Sequence, residues 1–348
     1  MSIQNIIQLP VVDLSPLVPL VNNAPSVTNP VSKIASELQN ACISYGAFYV
    51  TCSSFSRDAE LKILDNARRF FNLPETVKSN IPIRSGGFTR GYIAMGVESG
   101  SHRIEFKEAF SYGYEWNPSD KPNNSLQGPN EWDNLDEILG LEWRNGLNEF
   151  YSQMVFLAEL LVKGLEIALQ LELQSYCAGG ETISLMRLFH YFPYSNEQND
   201  VEAIGSSPHT DWGFLTLLLQ PDNVQGLQIF YDNEWRDIAS KPGHIVVNCG
   251  DYLSLITKGA FISPLHRVIS DGANERYSMV FFYYPKYDAH IPIINVNDPK
   301  IHNLSIFKDQ KYDNDNQRKE QEQEINSTID DVCFGEYIAR KWDQVYRG

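Results

Sequence analysis

Apolar residues follow two alternating periods in the first third of the chain. The runs "LPVVDL" at 9–14 and "AFYVTC" at 47–52 are short and nearly continuous, which is typical of buried strands. After each of them, apolar residues recur at helical spacing, over 31–42 and 61–71, and predict two amphipathic helices. Strands that alternate with helices predict an α/β region at this end of the chain.

The pattern changes twice further along the chain. Apolar residues at helical spacing run from 135 to 173 and form a stripe broad enough for one long helix packed on a sheet. After "CAGGET", short apolar runs are separated by Gly, Pro, Asn and Asp turns, which is typical of a β-sandwich or barrel. The predicted strands lie in "ISLMRLFHYF", "FLTLLLQ", "LQIFY", "EWRDI", "HIVVNCG", "LHRVIS" and "RYSMVFFYYP".

Together these patterns predict a mainly β fold with flanking helices, divided into four segments. The segments are an N-terminal α/β region (1–130), a scaffold helix (131–182), a β core (183–288) and a C-terminal extension (289–348). Within the extension, 309–330 is rich in Asn, Gln and Glu and predicts a solvated insert, and a final helix is expected after it.

The charge balance argues against two classes of partner. The chain has 348 residues, 43% of them hydrophobic, so it can bury a sizeable core. Its formal net charge is −16, and its Lys and Arg residues form no cluster longer than a pair. Such a field repels phosphate backbones and anionic lipid, so neither nucleic acid nor a membrane is expected as a partner.

Cysteine usage and the opening segment suggest a location. The five cysteines are scattered, without a C-x-x-C pair, which is typical of buried thiols in a reducing compartment. The opening segment "MSIQNIIQLPVVDLSPLVPLV" has no basic start and is interrupted by prolines, so it predicts neither a signal peptide nor a membrane span. We therefore expect a cytoplasmic protein, and a monomer.

Two histidines and an aspartate are candidate metal ligands. His209 and Asp211 are two positions apart in "SSPHTDWGFLTLLLQ", so an extended backbone directs both side chains to one side. His266 in "SPLHRVIS" is far enough along the chain for a barrel to return it to the same place. Two imidazoles and one carboxylate on one face of an octahedral ion are the ligands of non-haem iron(II) oxygenases. The alternative is a polar loop histidine and a buried core histidine.

A candidate anion site follows shortly after the second histidine. Arg276 and Ser278 in "ERYSMVFFYY" alternate onto one face of an apolar strand. A guanidinium in such surroundings needs a partner, and the hydroxyl beside it offers a second donor to the same anion, such as a carboxylate of a dicarboxylic acid. An internal ion pair is the alternative for Arg276.

Motifs in the same order resemble those of one family, the iron(II)/2-oxoglutarate-dependent dioxygenases of the isopenicillin N synthase and plant hydroxylase type. The resemblance covers most of the chain. The matching segments are "LPVVDLSPL", "ISYGAFYVT", "ARRFFNLPETVK", "EFKEAFSYG", "MRLFHYFP", "GSSPHTDWGFLTLLLQ", "GLQIFYDNEWRDI", "VVNCGDYLSLITKGAFISPLHRV" and "ERYSMVFFYYP".

The resemblance implies a double-stranded β-helix (jelly roll, cupin-like) core at 183–288, with iron(II) on His209, Asp211 and His266. It implies that 2-oxoglutarate chelates the iron and that its far carboxylate meets Arg276 and Ser278.

The chain departs from the family pattern where a tyrosine often joins the carboxylate site. The residue before Pro193 is Phe192, so Tyr191, one position earlier, is the candidate, with His190 as a possible substitute donor. Asp251 in "NCGD" competes formally as a metal ligand, but its "GD" context favours a turn.

The implied activity is oxidative decarboxylation of 2-oxoglutarate coupled to oxidation of a small molecule by dioxygen, with hydroxylation as the default outcome. Ascorbate is a candidate reductant. Three alternatives stay open: an iron oxidase of the same fold that uses ascorbate or substrate electrons without 2-oxoglutarate, a zinc hydrolase, and a non-catalytic small-molecule binding module.

Further residues are expected around the implied site. Phe214, Phe281 and Phe282 are candidates for an apolar lining that excludes water from the reaction. Substrate choice is expected to depend on loops at 83–103, on the insert before Asp133 and on the C-terminal segment.

Overall fold

The computed structural model describes most of the chain. The described residues are 5–21, 28–83, 90–97, 105–117, 119, 121–132, 134–193, 204–221, 224–270, 274–290 and 333–346. The polar insert predicted at 309–330 lies outside them, as does most of the loop at 83–103.

The described strands are short and are concentrated after residue 184. They are β1 Val11–Asp13, β2 Ala47–Thr51, β3 Gly91–Ile93, β4 Lys107–Gly113, β5 Leu185–Tyr191, β6 Ile204–His209, β7 Leu215–Leu219, β8 Leu227–Tyr231, β9 Glu234–Asp237, β10 Ile245–Cys249, β11 His266–Ile269 and β12 Arg276–Tyr283.

Helices flank the strands at both ends of the chain. They are α1 Val18–Val21, α2 Thr28–Ser44, α3 Arg57–Phe71, α4 Glu75–Lys78, α5 Leu135–Leu139, α6 Leu141–Leu169, α7 Gln174–Cys177, α8 Asp251–Ile256 and α9 Phe334–Tyr346. Short 3₁₀ helices lie at Ser15–Leu17 and Gly180–Thr182. None of the described helices, α6 included, is both long and apolar enough to cross a bilayer.

The strands form two sheets. The larger sheet has eight strands in the order β1-β2-β10-β7-β12-β5-β4-β3, and the smaller has four in the order β6-β11-β8-β9. Pairing is antiparallel except between β1 and β2. Strands from the N-terminal region therefore extend the same sheet that β5, β7, β10 and β12 form.

The alternation of side chains along β12 shows where the two cores lie. Met279 and Phe281 are buried in the larger core, which also contains the apolar faces of α2, α3 and α6. Val280 is buried in a second core with Ile229 and Val268 of the smaller sheet. The larger sheet is thus covered by helices on one face and by the smaller sheet on the other, and the candidate site lies between the two sheets.

The mainly β architecture with flanking helices is confirmed, and so are the seven strands predicted after "CAGGET" and the final helix. The single helix predicted over 135–173 is wrong in detail, because α5 and α6 are separated at Gly140, whose φ of 87° favours glycine. The elements that were not predicted include the short helix α8 and the strand β6, which contains His209.

Candidate iron centre and substrate cleft

The two histidines are brought together by strand pairing. His209 at the end of β6 and His266 at the start of β11 are register partners on antiparallel strands. Directly opposed residues project to the same face, with Cβ atoms about 5 Å apart. The two imidazole centroids are 4.3 Å apart. His266 is buried, whereas the side chain of His209 is 42% exposed and so forms the open side of the pair.

Asp211 completes the group from the loop that follows β6. Its Oδ1 lies 3.9 Å from Nε2 of His209 and 3.7 Å from Nε2 of His266. Its Oδ2 accepts a hydrogen bond from Nδ2 of Asn248 at 3.2 Å, and its backbone carbonyl accepts one from the amide of Asp251 at 2.7 Å. The carboxylate is therefore held from the side away from the histidines.

Hydrogen bonds fix the tautomer of both imidazoles. Nδ1 of His209 lies 2.8 Å from the carbonyl of Ser207, and Nδ1 of His266 lies 3.0 Å from the carbonyl of Pro264. Because a carbonyl can only accept, each Nδ1 carries the proton and each Nε2 keeps a lone pair for a ligand. Desolvation by the surrounding protein, with a contribution from His266, lowers the pKa of His209 to about 4, so the ring is neutral at neutral pH.

The three side chains have the composition of a metal site. One ligand atom from each of His209, Asp211 and His266 lies within 4.8 Å of the other two, and the described residues contain no other such group of three. Two imidazoles and one carboxylate suit iron(II) and leave coordination positions open.

The competing carboxylate, Asp251, is engaged elsewhere. It begins α8, and its Oδ2 accepts a hydrogen bond from the hydroxyl of Thr210 at 3.1 Å. Burial raises the pKa of Asp251, against the hydrogen bond that it accepts from Thr210.

The predicted anion site lies on the inner face of β12. Arg276 is 3% exposed, and its Nη2 donates to Oε1 of Gln220 at 2.9 Å. Ser278 is fully buried, and its Oγ has no hydrogen-bond partner among the described residues. Burying a hydroxyl without a partner costs free energy, so Ser278 is a donor that a bound anion can use.

Tyr191 lies on the same side as this pair. It is the register partner of Arg276, and the guanidinium lies 4.8 Å from the centre of its ring. His190 points to the opposite face, where Nδ1 lies 2.8 Å from Oε1 of Glu108 and the ring stacks on Tyr277. The position of Tyr191, rather than that of His190, therefore fits the carboxylate site.

An aromatic cleft of about 730 Å³, open solvent at its mouth included, adjoins two of the candidate ligands, His209 and Asp211. The aromatic side chains that line it are Phe189, Trp212, Phe282, Tyr284 and Trp342, and the charged ones besides Asp211 are Glu105, Lys107 and Arg187. Of the phenylalanines proposed from the sequence as lining, Phe282 lies here, whereas Phe214 and Phe281 belong to the core.

Several residues of the site were not predicted from the sequence. Gln220 ends the apolar run "FLTLLLQ", and a polar residue on the same face as Thr216 and Leu218 was the available signal. Asn248, which holds Asp211, interrupts an apolar strand in "IVVNC". Trp342 of α9 reaches the cleft from the end of the chain, and no local pattern indicates this contact.

Comparisons with known proteins identify the family. The model of the 2OG-Fe(II) oxygenase superfamily matches residues 182–285, and a model described as the non-haem dioxygenase in morphine synthesis N-terminal region matches residues 9–134. Clavatol oxidase of Penicillium crustosum is 31% identical over 295 residues, covering 76% of this chain and 85% of that protein. The chain belongs to the 2OG-Fe(II) oxygenase superfamily.

Two further proteins extend the comparison. A homoarginine-6-hydroxylase of Arabidopsis thaliana is 28% identical over 341 residues, which is 96% of this chain and 87% of that protein. A Neurospora crassa protein, solved in complex with alpha-KG and thymine, has a similar fold, with a TM-score of 0.71 and 22% identity over 85% of this chain and 91% of that chain. The predicted jelly-roll core, dioxygenase class, iron and 2-oxoglutarate are confirmed at the level of the superfamily.

Proposed function

We propose that His209, Asp211 and His266 bind iron(II) and that Arg276, Ser278 and Tyr191 bind the far carboxylate of 2-oxoglutarate. The observation that carries this assignment is the convergence of two Nε2 atoms and one carboxylate oxygen within 4.8 Å. Bound there, iron(II) supplies the site at which dioxygen and 2-oxoglutarate react, and the default outcome is hydroxylation of a small molecule in the cleft.

Each residue has a role that follows from its surroundings. Ser207 and Pro264 orient the imidazoles through their carbonyls, and Asn248 holds one oxygen of Asp211 so that the other faces the metal. Arg276 supplies charge and a planar pair of donors, and Ser278 supplies a hydroxyl. The aromatic walls exclude water from the reacting atoms.

The anion site favours this proposal over the alternatives. A zinc hydrolase uses the metal and a water, and it gives no role to a buried arginine beside a hydroxyl that lacks a partner in the described part of the chain. An iron oxidase of the same fold can retain both residues, so only the use of 2-oxoglutarate separates it. Ascorbate as a reductant stays a prediction.

We also propose that the protein is a cytoplasmic monomer that has no nucleic-acid partner. A net charge of −16 supports the absence of a nucleic-acid partner. The five cysteines are free, and Cys42, Cys52, Cys177 and Cys249 are buried, which supports a reducing, cytoplasmic location.

Anaerobic reconstitution tests the proposed function. The protein is loaded with one equivalent of iron(II), and 2-oxoglutarate is added before air. We expect a visible metal-to-ligand charge-transfer band on addition of 2-oxoglutarate and succinate on exposure to air. A protein that binds iron without producing the band or succinate contradicts the proposal and favours the iron oxidase, and tighter binding of zinc with hydrolytic activity favours the hydrolase.

A further inference from the structure

Arg90, which immediately precedes β3, is a buried cation without a carboxylate partner in the described part of the chain. It is 1% exposed, and its Nε and Nη2 have no hydrogen-bond partner among the described residues. The ionisable groups that affect the pKa of Arg90 electrostatically are Tyr151 and Tyr284. Burial lowers the pKa of Arg90 to about 10, so the guanidinium is still charged at neutral pH.

The position of this guanidinium is defined by the strand beside it. A Cβ atom at Gly113 of β4 would lie 2.3 Å from Nη2 of Arg90, so the arginine occupies the space that a side chain there would need. Ser111 is two residues earlier on the same face of β4, and its Oγ accepts a hydrogen bond from Nε of Arg187 at 3.1 Å. The two arginines therefore neighbour strand positions about 7 Å apart.

Arg187 lines the cleft, whereas Arg90 is not among its lining residues and is linked to it through Tyr284. Arg187 is 3% exposed, lines the cleft and lies 4.9 Å from the centre of the Trp342 ring. Tyr284, one of the two groups that act on Arg90, lines the same cleft. The candidate iron ligands lie at β6 and β11 of the smaller sheet and in the loop after β6, and the arginines approach from β3 to β5 of the larger sheet.

The acidic side chains that line the cleft, Glu105 and Asp211, are committed to other partners. Glu105 pairs with Lys107 at 2.7 Å, and Asp211 is assigned to the metal. A buried charge without a partner, such as that of Arg90, carries a desolvation cost, and it is an unexpected feature in a chain whose net charge is −16. A bound anion would remove this cost, and the planar guanidinium matches a carboxylate with two parallel hydrogen bonds.

We propose that Arg90 and Arg187 form an anion subsite that binds a carboxylate of the prime substrate. The substrate is then a small organic acid, with an aromatic or other apolar body that packs against the aromatic side chains of the cleft. This inference rests on the proposed function, since it assigns the substrate class of the same site.

Matched acids and amides test the subsite directly. The probes are benzoate, phenylacetate, 3-phenylpropanoate and 4-phenylbutanoate, each paired with its primary amide, titrated calorimetrically into the anaerobic enzyme saturated with iron(II) and 2-oxoglutarate. We expect at least one acid to bind tenfold or more tightly than its amide. Arg90→Gln removes this preference, whereas the matched control Arg236→Gln, on β9 outside the cleft, retains it.

A stability measurement keeps the test independent of the probes. Because Arg90 has no carboxylate to lose among the described residues, Arg90→Met should have a Tm equal to or above that of the wild type, whereas an arginine with a structural partner would lower it. Equal binding of acids and amides, an acid preference that survives Arg90→Gln, or a lower Tm in Arg90→Met overturns the subsite. Absence of the 2-oxoglutarate charge-transfer band in the wild type instead overturns the proposed function.

Discussion

At the scale of single residues, the site depends on hydrogen bonds that commit one atom of each side chain and leave the other available. Nδ1 of His209 and Nδ1 of His266 are both committed to backbone carbonyls, and Oδ2 of Asp211 is committed to Asn248. The remaining atoms face one another across less than 4.8 Å. The ligands are thus oriented by the protein itself.

Replacement of one ligand should remove the metal. We expect His266→Ala to reduce iron affinity by more than about 100-fold, because loss of a ligand exceeds the effect of losing the groups that orient it. His244→Ala is the matched control, since Nδ1 of His244 also contacts the carbonyl two residues before it, at 2.9 Å, but in an exposed turn. Metal analysis after gel filtration measures both, and iron retained by His266→Ala would remove it from the ligand set.

Replacement of the arginine of the anion site should weaken 2-oxoglutarate binding without weakening iron binding. We expect Arg276→Ala to weaken 2-oxoglutarate binding by about 10- to 100-fold, because hydrogen bonds to charged groups contribute about 1.5–3 kcal/mol. Iron affinity should not change. Arg276→Lys, which keeps the charge without the planar donors, should lie between Ala and wild type. An unchanged dissociation constant in Arg276→Ala, measured by anaerobic titration, would contradict the assignment.

The sequence predicts some of these residues well and others poorly, for a physical reason. His209 and Asp211 lie two positions apart in one extended segment, so their common direction is local information. Gln220 ends an apolar strand before "PD" and reads locally as a turn residue. Arg90 follows a segment whose sequence is rich in glycine, and its burial depends on Gly113 of another strand. Contacts of this kind follow from packing rather than from local pattern.

At the scale of elements, β6 shows how a weak strand can have a decisive position. Its sequence "IGSSPH" contains Gly, Ser and Pro, which are poor strand formers, so it was not predicted. Pairing with β11 nevertheless places His209 opposite His266, with register shifts further along the pair. The geometry of the candidate iron centre is therefore a property of the pairing, which the sequence of β6 alone does not specify.

The face of β4 opposite the cleft carries a buried carboxylate, that of Glu108. Glu108 is 3% exposed and accepts hydrogen bonds from Nζ of Lys78 at 2.6 Å and from the hydroxyl of Tyr92 at 2.6 Å, and it contacts Nδ1 of His190 at 2.8 Å. Burial alone would raise the pKa of Glu108, but the hydrogen bonds from His190, Lys78 and Tyr92 hold it below its usual value.

The sign of this shift predicts a pH dependence of stability. A carboxyl whose folded pKa is lowered stabilises the fold above its unfolded pKa of about 4.3, and this contribution is lost as the pH falls through the folded pKa. We expect Glu108→Gln to lower the free energy of unfolding by about 3 kcal/mol at pH 7, and the difference from wild type to shrink below about pH 4. Urea denaturation across pH measures it.

The control for Glu108 is an exposed acidic residue on a helix. Glu37 of α2 pairs with Lys33 at 3.4 Å, and both side chains are exposed to solvent. Glu37→Gln should change stability by less than about 0.5 kcal/mol. A difference for Glu108→Gln that stays constant down to about pH 3, below the unfolded pKa, would show that the carboxylate charge is not the stabilising feature.

At the scale of the whole molecule, two sheets and a layer of helices enclose the cleft, and the final helix contributes Trp342 to its wall. The overall architecture was predictable because the strand and helix periods change clearly along the chain. The four predicted segments stay a prediction, and β1 to β4 of the first segment belong to the same sheet as strands of the third.

Thiol accessibility tests whether the cysteines are buried in the folded protein. Four cysteines are buried and Cys333 is partly exposed, and all five are free. We expect at most one of them to react rapidly with a thiol reagent such as DTNB in the native protein, and all five to react after denaturation without a reductant. Fewer than five in the denatured, unreduced protein would indicate a disulfide and contradict the proposed reducing compartment.

The central claim is that one metal ion is bound by three side chains distant in sequence. Anomalous scattering at the iron edge, from crystals grown anaerobically with iron(II) and 2-oxoglutarate, measures the position of that ion directly. We predict one peak within bonding distance of Nε2 of His209, Oδ1 of Asp211 and Nε2 of His266. A peak bound by Asp251, or one that lacks either imidazole, would contradict the account.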